Sequence, residues 1–257
     1  CDNCSAVSTD ITISVGDVVD HKFENYVSDN NATCCKDGTE SAKCTKCSAP
    51  DTRVKAGSAK GHDDTSKIFS DVAAGKWYQK AIDYNYTHKF VSGMSKTEFG
   101  VDSQITRGQF ITILARIAGV DTSAQANKTT TKFTDVESGR FYTAAIKWAS
   151  DNKIVAGMTD TTFAPTAPIQ RQQLCVMIVN FAKNQKIGLT AAESAVTFAD
   201  AAQIGNYAKE AVAVCQRADI INGYNEGGKL VVKPANTATR AEAAQILYKF
   251  HKDFVNK

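Results

Sequence analysis

The chain has 257 residues, 43% of them hydrophobic, with 30 Lys and Arg against 27 Asp and Glu and a net charge of +3. That content suffices for a packed core in one large domain or two modest ones, and no apolar run approaches the roughly 20 residues that cross a bilayer, which excludes a membrane-spanning helix. The start at Cys1, without Met or an apolar signal segment, reads as a mature form or a fragment.

The front of the chain is rich in cysteine. Six of the eight cysteines, at positions 1, 4, 34, 35, 44 and 47, precede residue 48, whereas Cys175 and Cys215 stand in apolar helical stretches and read as packing residues. Residues 1–66 carry 7 Lys/Arg against 11 Asp/Glu, and residues 67–257 carry 23 against 16. The larger part is therefore basic and suits an anionic partner. The pair Cys1/Cys4 is followed by His21 and the pair Cys44/Cys47 by His62, 17 and 15 residues beyond the second cysteine. This spacing looks like a tandem array of short strands and loops entered partway through. Thiolate pairs with a further Cys and a His have the chemistry of tetrahedral zinc, and so small a segment has too little core to fold unaided. The expected complete site is Cys34, Cys44, Cys47 and His62. Cys1, Cys4 and His21 would be three ligands of a second site, with Cys35 or an upstream residue as the fourth. Disulfides are the competing reading, natural outside a cell, and the spacing leaves both open.

From Phe69 onward the chain repeats at intervals of about 65 residues. The segments "FSDVAAGKWYQKAIDYNYTHKFVSGM", "FTDVESGRFYTAAIKWASDNKIVAGM" and "FADAAQIGNYAKEAVAVCQRADIINGY" align, which gives repeats over 67–131, 132–196 and 197–257 after a front segment 1–66. Each opens with F-x-D (Asp71, Asp135, Asp200), continues with apolar residues at helical spacing, such as Ala144, Ala145, Trp148 and Ala149, and reaches a glycine at 93, 157 or 223. That glycine is expected to supply a left-handed turn out of the first helix. A polar loop then leads to a second helix, "QFITILARI", "QLCVMIVNF" or "AAQILYKF". Each unit reads as helix, loop, helix, with the three second helices expected to share one core. Trp77, Phe141 and Tyr207 occupy one place near the start of the first helix and read as core residues or as half-exposed platforms for a sugar ring.

The second helices open with Arg107, Arg171 and Arg240. Thr106 with Gln109 and Thr239 with Glu242 have capping-box spacing, while the second repeat, "IQRQQ", has lost both threonine and acid. A cation in the first turn meets the positive end of the helix dipole, so three equivalent arginines there point to a bound anion, held by the guanidinium and the free N–H groups of the turn.

With the F-x-D openings, the "IVAGM" and "IINGY" turns, the "TTFAPTAPI" loop and the "TRAE" helix start, residues 67–257 resemble three tandem S-layer homology domains. The resemblance implies a mainly α fold, three helix-loop-helix repeats in a pseudo-threefold arrangement around a central three-helix bundle. It implies anchoring of a bacterial surface protein, extracellularly, to secondary cell-wall polysaccharide whose terminal amino sugar carries a pyruvate ketal. Arg107, Arg171 and Arg240 would grip that carboxylate. Asp71, Asp135 and Asp200 would accept from sugar hydroxyls, Gly93, Gly157 and Gly223 would let backbone approach, and Trp77 would stack. On this resemblance the "RAE" of the third repeat makes the groove around Arg240 the most secure and that around Arg171 the least. The front unit is similar to small Cys-rich repeats beside anchoring domains in clostridial-type surface proteins.

An enzyme reading finds little support. The histidines, at 21, 62, 88 and 251, form no H-E-x-x-H, and there is no G-x-S-x-G or phosphate-cradling glycine loop. Nucleic-acid binding lacks any base-reading motif. The expectation is therefore an anchor that needs no cofactor for activity, with any structural zinc confined to residues 1–66, no nucleic acid and no membrane insertion, and with self-assembly or upstream surface domains as further partners left open.

Overall fold

A computed structural model describes residues 21–189 and 197–256, in two compact units that divide between His62 and Asp63. The first unit is a small antiparallel sheet of β1 (Val27–Ser28), β2 (Thr39–Lys43) and β3 (Pro50–Val54), in that order, with Ser41 opposite Thr52. Cross-strand pairing is polar: Arg53 reaches Glu40 at 2.8 Å and lies 3.7 Å over the Tyr26 ring. Among its described residues only Ala42 and Cys44 are buried apolar side chains, so the sheet has almost no core of its own.

The second unit is mainly α. Its helices are α1 (Gln79–Thr87), α2 (Arg107–Ile117), α3 (Thr143–Asp151), α4 (Arg171–Asn184), α5 (Lys209–Arg217) and α6 (Arg240–Phe250), with a hairpin of β4 (Tyr224–Glu226) and β5 (Lys229–Val231) before the last. The capping boxes at Thr106/Gln109 and Thr239/Glu242 form. In the second repeat the box is less eroded than its composition implies, because Gln173 still accepts the N–H of Gln170 at 3.2 Å.

The two helices of one repeat are not packing partners. α1 packs on α6, α3 on α2 and α5 on α4, so each first helix lies on the second helix of the repeat before it, and α2 also meets α4. The apolar stripes fill one core that includes Phe69, Phe110, Phe133, Phe181 and Phe250. At the mouths of the second helices, Ile105 N–H donates to Ala238 O, Ala238 N–H to Ile169 O, and Ile169 N–H to Ile105 O, at 3.0–3.1 Å. These three bonds close a ring through all three repeats.

The left-handed exit from the first helix falls four residues earlier than its glycine. Lys89, Lys153 and Asp219 take φ of 59°, 57° and 54°, and the residue after each bonds back five positions, as Phe90 N–H does to Asn85 O at 2.9 Å. Of the three turn glycines only Gly157, at φ 101°, is left-handed. What all three share is contact: a Cβ on Gly93, Gly157 or Gly223 would lie 2.5, 2.6 or 2.8 Å from the ring of Phe69, Phe133 or Phe198. The Phe of F-x-D and the glycine are a matched pair.

Candidate functional site

The Asp of F-x-D organises the loop before the second helix. Asp71 accepts the N–H groups of Phe99, Gly100 and Val101 at 2.6–2.9 Å. Asp135 takes those of Phe163 and Ala164, and Asp200 those of Val232 and Lys233. Burial alone would raise the Asp71 pKa, and the backbone N–H bonds outweigh it and lower the pKa. The three carboxylates assigned to sugar hydroxyls on the family resemblance are thus already engaged with their own loops.

The arginines reach across repeats. Arg240 Nε donates to Phe99 O at 2.8 Å and Nη2 to Ser92 O at 2.7 Å. Arg107 Nε donates to Phe163 O at 2.9 Å and Nη1 to Gln173 Oε1 at 3.3 Å. Arg171 donates to Val232 O and Asn222 O, both at 2.9 Å. Phe99, Phe163 and Val232 are therefore each held twice, by an Asp at the N–H and by the preceding repeat's Arg at the C=O. All three arginines are buried. Burial lowers the pKa of Arg107 and Arg240, while rings lie beneath the guanidinium groups, Phe163 under Arg107 at 4.6 Å, Tyr224 under Arg171 at 4.7 Å and Phe99 under Arg240 at 4.6 Å.

The first-turn N–H groups expected to be open to an anion are occupied. Arg107 N–H bonds Ala167 O, Arg171 N–H bonds Asn236 O and Arg240 N–H bonds Ser103 O, at 2.8–2.9 Å, and the next residue in each helix bonds a carbonyl of the same loop. Docking of the repeats satisfies these donors.

Each arginine lines one of three grooves, of about 410, 360 and 510 Å³. The groove on the first repeat combines Arg240, the turn at Ser92–Met94, the face of α2 and Phe141. That on the second combines Arg107, the Ile154–Met158 turn, α4 and Tyr207. That on the third combines Arg171, the Ile220–Tyr224 turn, α6 and Trp77. Every groove draws on all three repeats. Trp77, Phe141 and Tyr207 are 51–60% exposed, as are Met94 and Met158, so the exposed large apolar side chains described in this unit all stand at grooves. Of the two roles open to the aromatic position, exposure at a groove rim is the one observed.

Composition separates the grooves. Gln109 and Gln173 line the first and second, but Glu242 lines the third, bonded by the Tyr224 hydroxyl and 3.8 Å from Arg171. Burial and that bond push the Tyr224 pKa up to about 12, which keeps the hydroxyl protonated as a donor. The first groove adds Arg116, nine residues beyond the motif arginine, where the other repeats have Asn180 and Lys249. The sequence reading missed these three residues, although their shared register was visible. Arg240 and Glu242, both in the "RAE" on which the third repeat was ranked, line different grooves.

In the first unit, Cys1 and Cys4 lie outside the described residues. The four residues expected to form one site are divided between two clusters, Cys44 and Cys47 with His21, and Cys34 and Cys35 with His62, each with its donor atoms within 4.8 Å of one another. β2 runs between Cys35 and Cys44 and puts them at opposite ends. Lys60 N–H bonded to Thr33 O brings the chain near His62 to one end, and Thr45 N–H bonded to Lys22 O brings that near His21 to the other. Cys175 and Cys215 are fully buried, with the Cys215 thiol 3.8 Å from Cys175 O across the α4–α5 contact.

Comparison with known proteins covers the same region. The chain is 28% identical over 189 residues to the S-layer protein sap of Bacillus anthracis, covering 73% of this chain and 22% of that protein. It is 28% identical over 189 residues to an amylopullulanase of Thermoanaerobacterium thermosulfurigenes, covering 71% of this chain and 9% of that protein. It is 33% identical over 89 residues to a surface layer protein of Brevibacillus choshinensis, covering 35% of this chain and 8% of that protein. The chain thus spans less than a quarter of the length of these relatives. Residues 68–111, 132–175 and 197–244, just over half of the chain and including Arg107, Arg171 and Arg240, match the S-layer homology domain, and the chain belongs to that family.

Proposed function

We propose that this chain anchors a surface protein non-covalently to the bacterial cell wall by binding acidic secondary cell-wall polysaccharide in its three grooves. The observation that carries the reading is the recurrence, in each groove, of a buried arginine beside an exposed aromatic ring. A sugar with a pyruvate ketal fits both: its carboxylate pairs with guanidinium donors not taken by the loop carbonyls, and its ring packs on Trp77, Phe141 or Tyr207. The basic excess of residues 67–257 favours approach of an anionic polymer.

The reading includes a pseudo-threefold arrangement with α2, α4 and α6 as the central bundle, supported by the ring of bonds through Ile105, Ala238 and Ile169. The module acts outside the cell, at the wall, as an anchor and not as a catalyst. The match to the amylopullulanase lies in the anchor region and covers 9% of that enzyme, so its activity does not transfer. No helix among the described residues is long and apolar enough to cross a membrane. Any zinc the chain takes is structural and belongs to the Cys-rich unit.

Surface-layer assembly is the second reading, favoured by the relatives so named and by the exposed Met94 and Met158, which a neighbouring copy could cover. Calorimetric titration of the chain with purified wall polysaccharide, before and after removal of the ketal, separates the two. Binding that disappears with the ketal supports the arginine-held carboxylate. Binding to neither polymer, with concentration-dependent association of the chain, favours assembly.

A further inference from the structure

The described part of the first unit has little of what normally holds so small a sheet together. Three short strands cover residues 27–54, and the buried apolar side chains described there are Ala42 and Cys44 alone. Segments of this size need cross-links or a metal to be stable. We propose that His21, Cys44 and Cys47 bind a structural zinc ion, at a site separate from the Cys34, Cys35 and His62 cluster.

The local backbone is shaped for it. Cys44 follows the last residue of β2, and the tight turn "CTKC" is closed by Ser48 N–H to Cys44 O at 2.9 Å and by Cys44 N–H to Ala49 O at 2.8 Å, with Ser48 at φ 62°. Both sulfurs therefore sit on one turn. The N–H of Lys46 points at Cys44 Sγ at 3.4 Å, the arrangement that stabilises a metal-bound thiolate. His21 arrives from another stretch of chain, fixed by the Phe23–Cys44 bridge and the Thr45 N–H to Lys22 O bond. Its Nδ1 lies 3.4 Å from Cys47 Sγ. Ligands of a tetrahedral zinc with the usual metal–sulfur and metal–nitrogen lengths stand roughly 3.5 Å apart.

Two thiolates and a neutral imidazole select zinc over magnesium or calcium. Binding releases the two thiol protons to solvent, and the two thiolates balance the charge of the ion. Among the described residues the site has these three donors, and a tetrahedral ion takes one more. The ion would tie the chain at His21 to the far end of β2, a constraint that the two buried apolar side chains described there do not supply.

The test uses the whole chain, purified under reductant and without oxygen, with zinc alone as the probe. Zinc should protect Cys44 and Cys47 from alkylation in the unaltered protein, and cobalt in its place should give a thiolate charge-transfer band. Elemental analysis should show that His21→Ala and Cys47→Ser each remove the same single equivalent, and that His62→Ala leaves it. Equal alkylation of Cys44 and Cys47 with and without zinc would overturn the proposal, as would a Cys44–Cys47 disulfide that persists in the presence of zinc. Loss of one and the same equivalent in His62→Ala and Cys47→Ser would also overturn it, in favour of the set suggested by spacing. None of these outcomes depends on glycan binding.

Discussion

Arg171, at the head of α4, lies 3.8 Å from Glu242, at the head of α6. The third groove thus holds its own carboxylate beside its motif arginine, while the equivalent positions in the other two are Gln109 and Gln173. A ligand carboxylate entering the third groove must share Arg171 with Glu242. Replacing Glu242→Gln, which keeps a capping side chain, should strengthen binding of ketal-bearing polysaccharide by about 1 kcal/mol, roughly fivefold. Calorimetry checks this, and an equal gain for ketal-free polymer would show that charge is not the cause.

Arg240 is as much a structural residue as a binding one, because its guanidinium satisfies Phe99 O and Ser92 O inside the fold. Arg240→Ala should lower stability by about 2–4 kcal/mol, read as a fall of roughly 5–15 °C in the unfolding midpoint of this unit. Loss of glycan binding in that variant is therefore ambiguous. Arg240→Lys keeps the charge and removes the planar fork. Comparing its melting curve with its titration separates the two roles.

Gly157 combines φ of 101° with a would-be Cβ 2.5 Å from Thr159 O, 2.6 Å from the Phe133 ring and 2.7 Å from Thr162 O. Gly157→Ala should cost roughly 2–4 kcal/mol in denaturant unfolding, from strain and overpacking together. Gly119 has φ of 71° but open space around it, so Gly119→Ala should cost only about 1 kcal/mol. Similar losses at both sites would mean that these close contacts are unimportant.

His251 is buried against Tyr84, whose hydroxyl is 2.8 Å from its Nδ1, and packs near His88, Phe90 and Tyr84. Burial and then the neighbouring His88 push its pKa down from 6.5 to about 4. The unfolded chain therefore binds this proton first as pH falls. Stability should be unaffected by His251 above 6.5, decline between 6.5 and 4, and level off below, with a loss of up to about 3 kcal/mol. His251→Gln should flatten that interval in urea unfolding measured against pH.

The three repeats, both sets of helices and the arginine positions were legible because burial and capping act at fixed spacing along one chain. The grooves were not, because each is assembled from three repeats. Arg240 and Glu242 are two residues apart in sequence, yet helix geometry turns them to different neighbours. The roles within F-x-D were hidden for a related reason, since Asp71 serves a loop 28 to 30 residues downstream. The cause by which the turn glycines were found holds for Gly157 alone: the left-handed helix exits are Lys89, Lys153 and Asp219, and what all three glycines share is that a Cβ would meet a Phe ring and backbone carbonyls. In the front unit, spacing counts residues along the strand, and it could not register that β2 carries Cys35 and Cys44 to opposite ends.

The bonds linking Ile105, Ala238 and Ile169 have a consequence for how such a chain can change in length. An open stack of repeats can grow by duplication, because a new copy meets the same neighbour as the old one. Here the last repeat docks on the first, so a fourth copy would find no vacant edge and a lost copy would expose two. On the proposed threefold arrangement the number three follows from closure, and lengthening the module should require a second complete set.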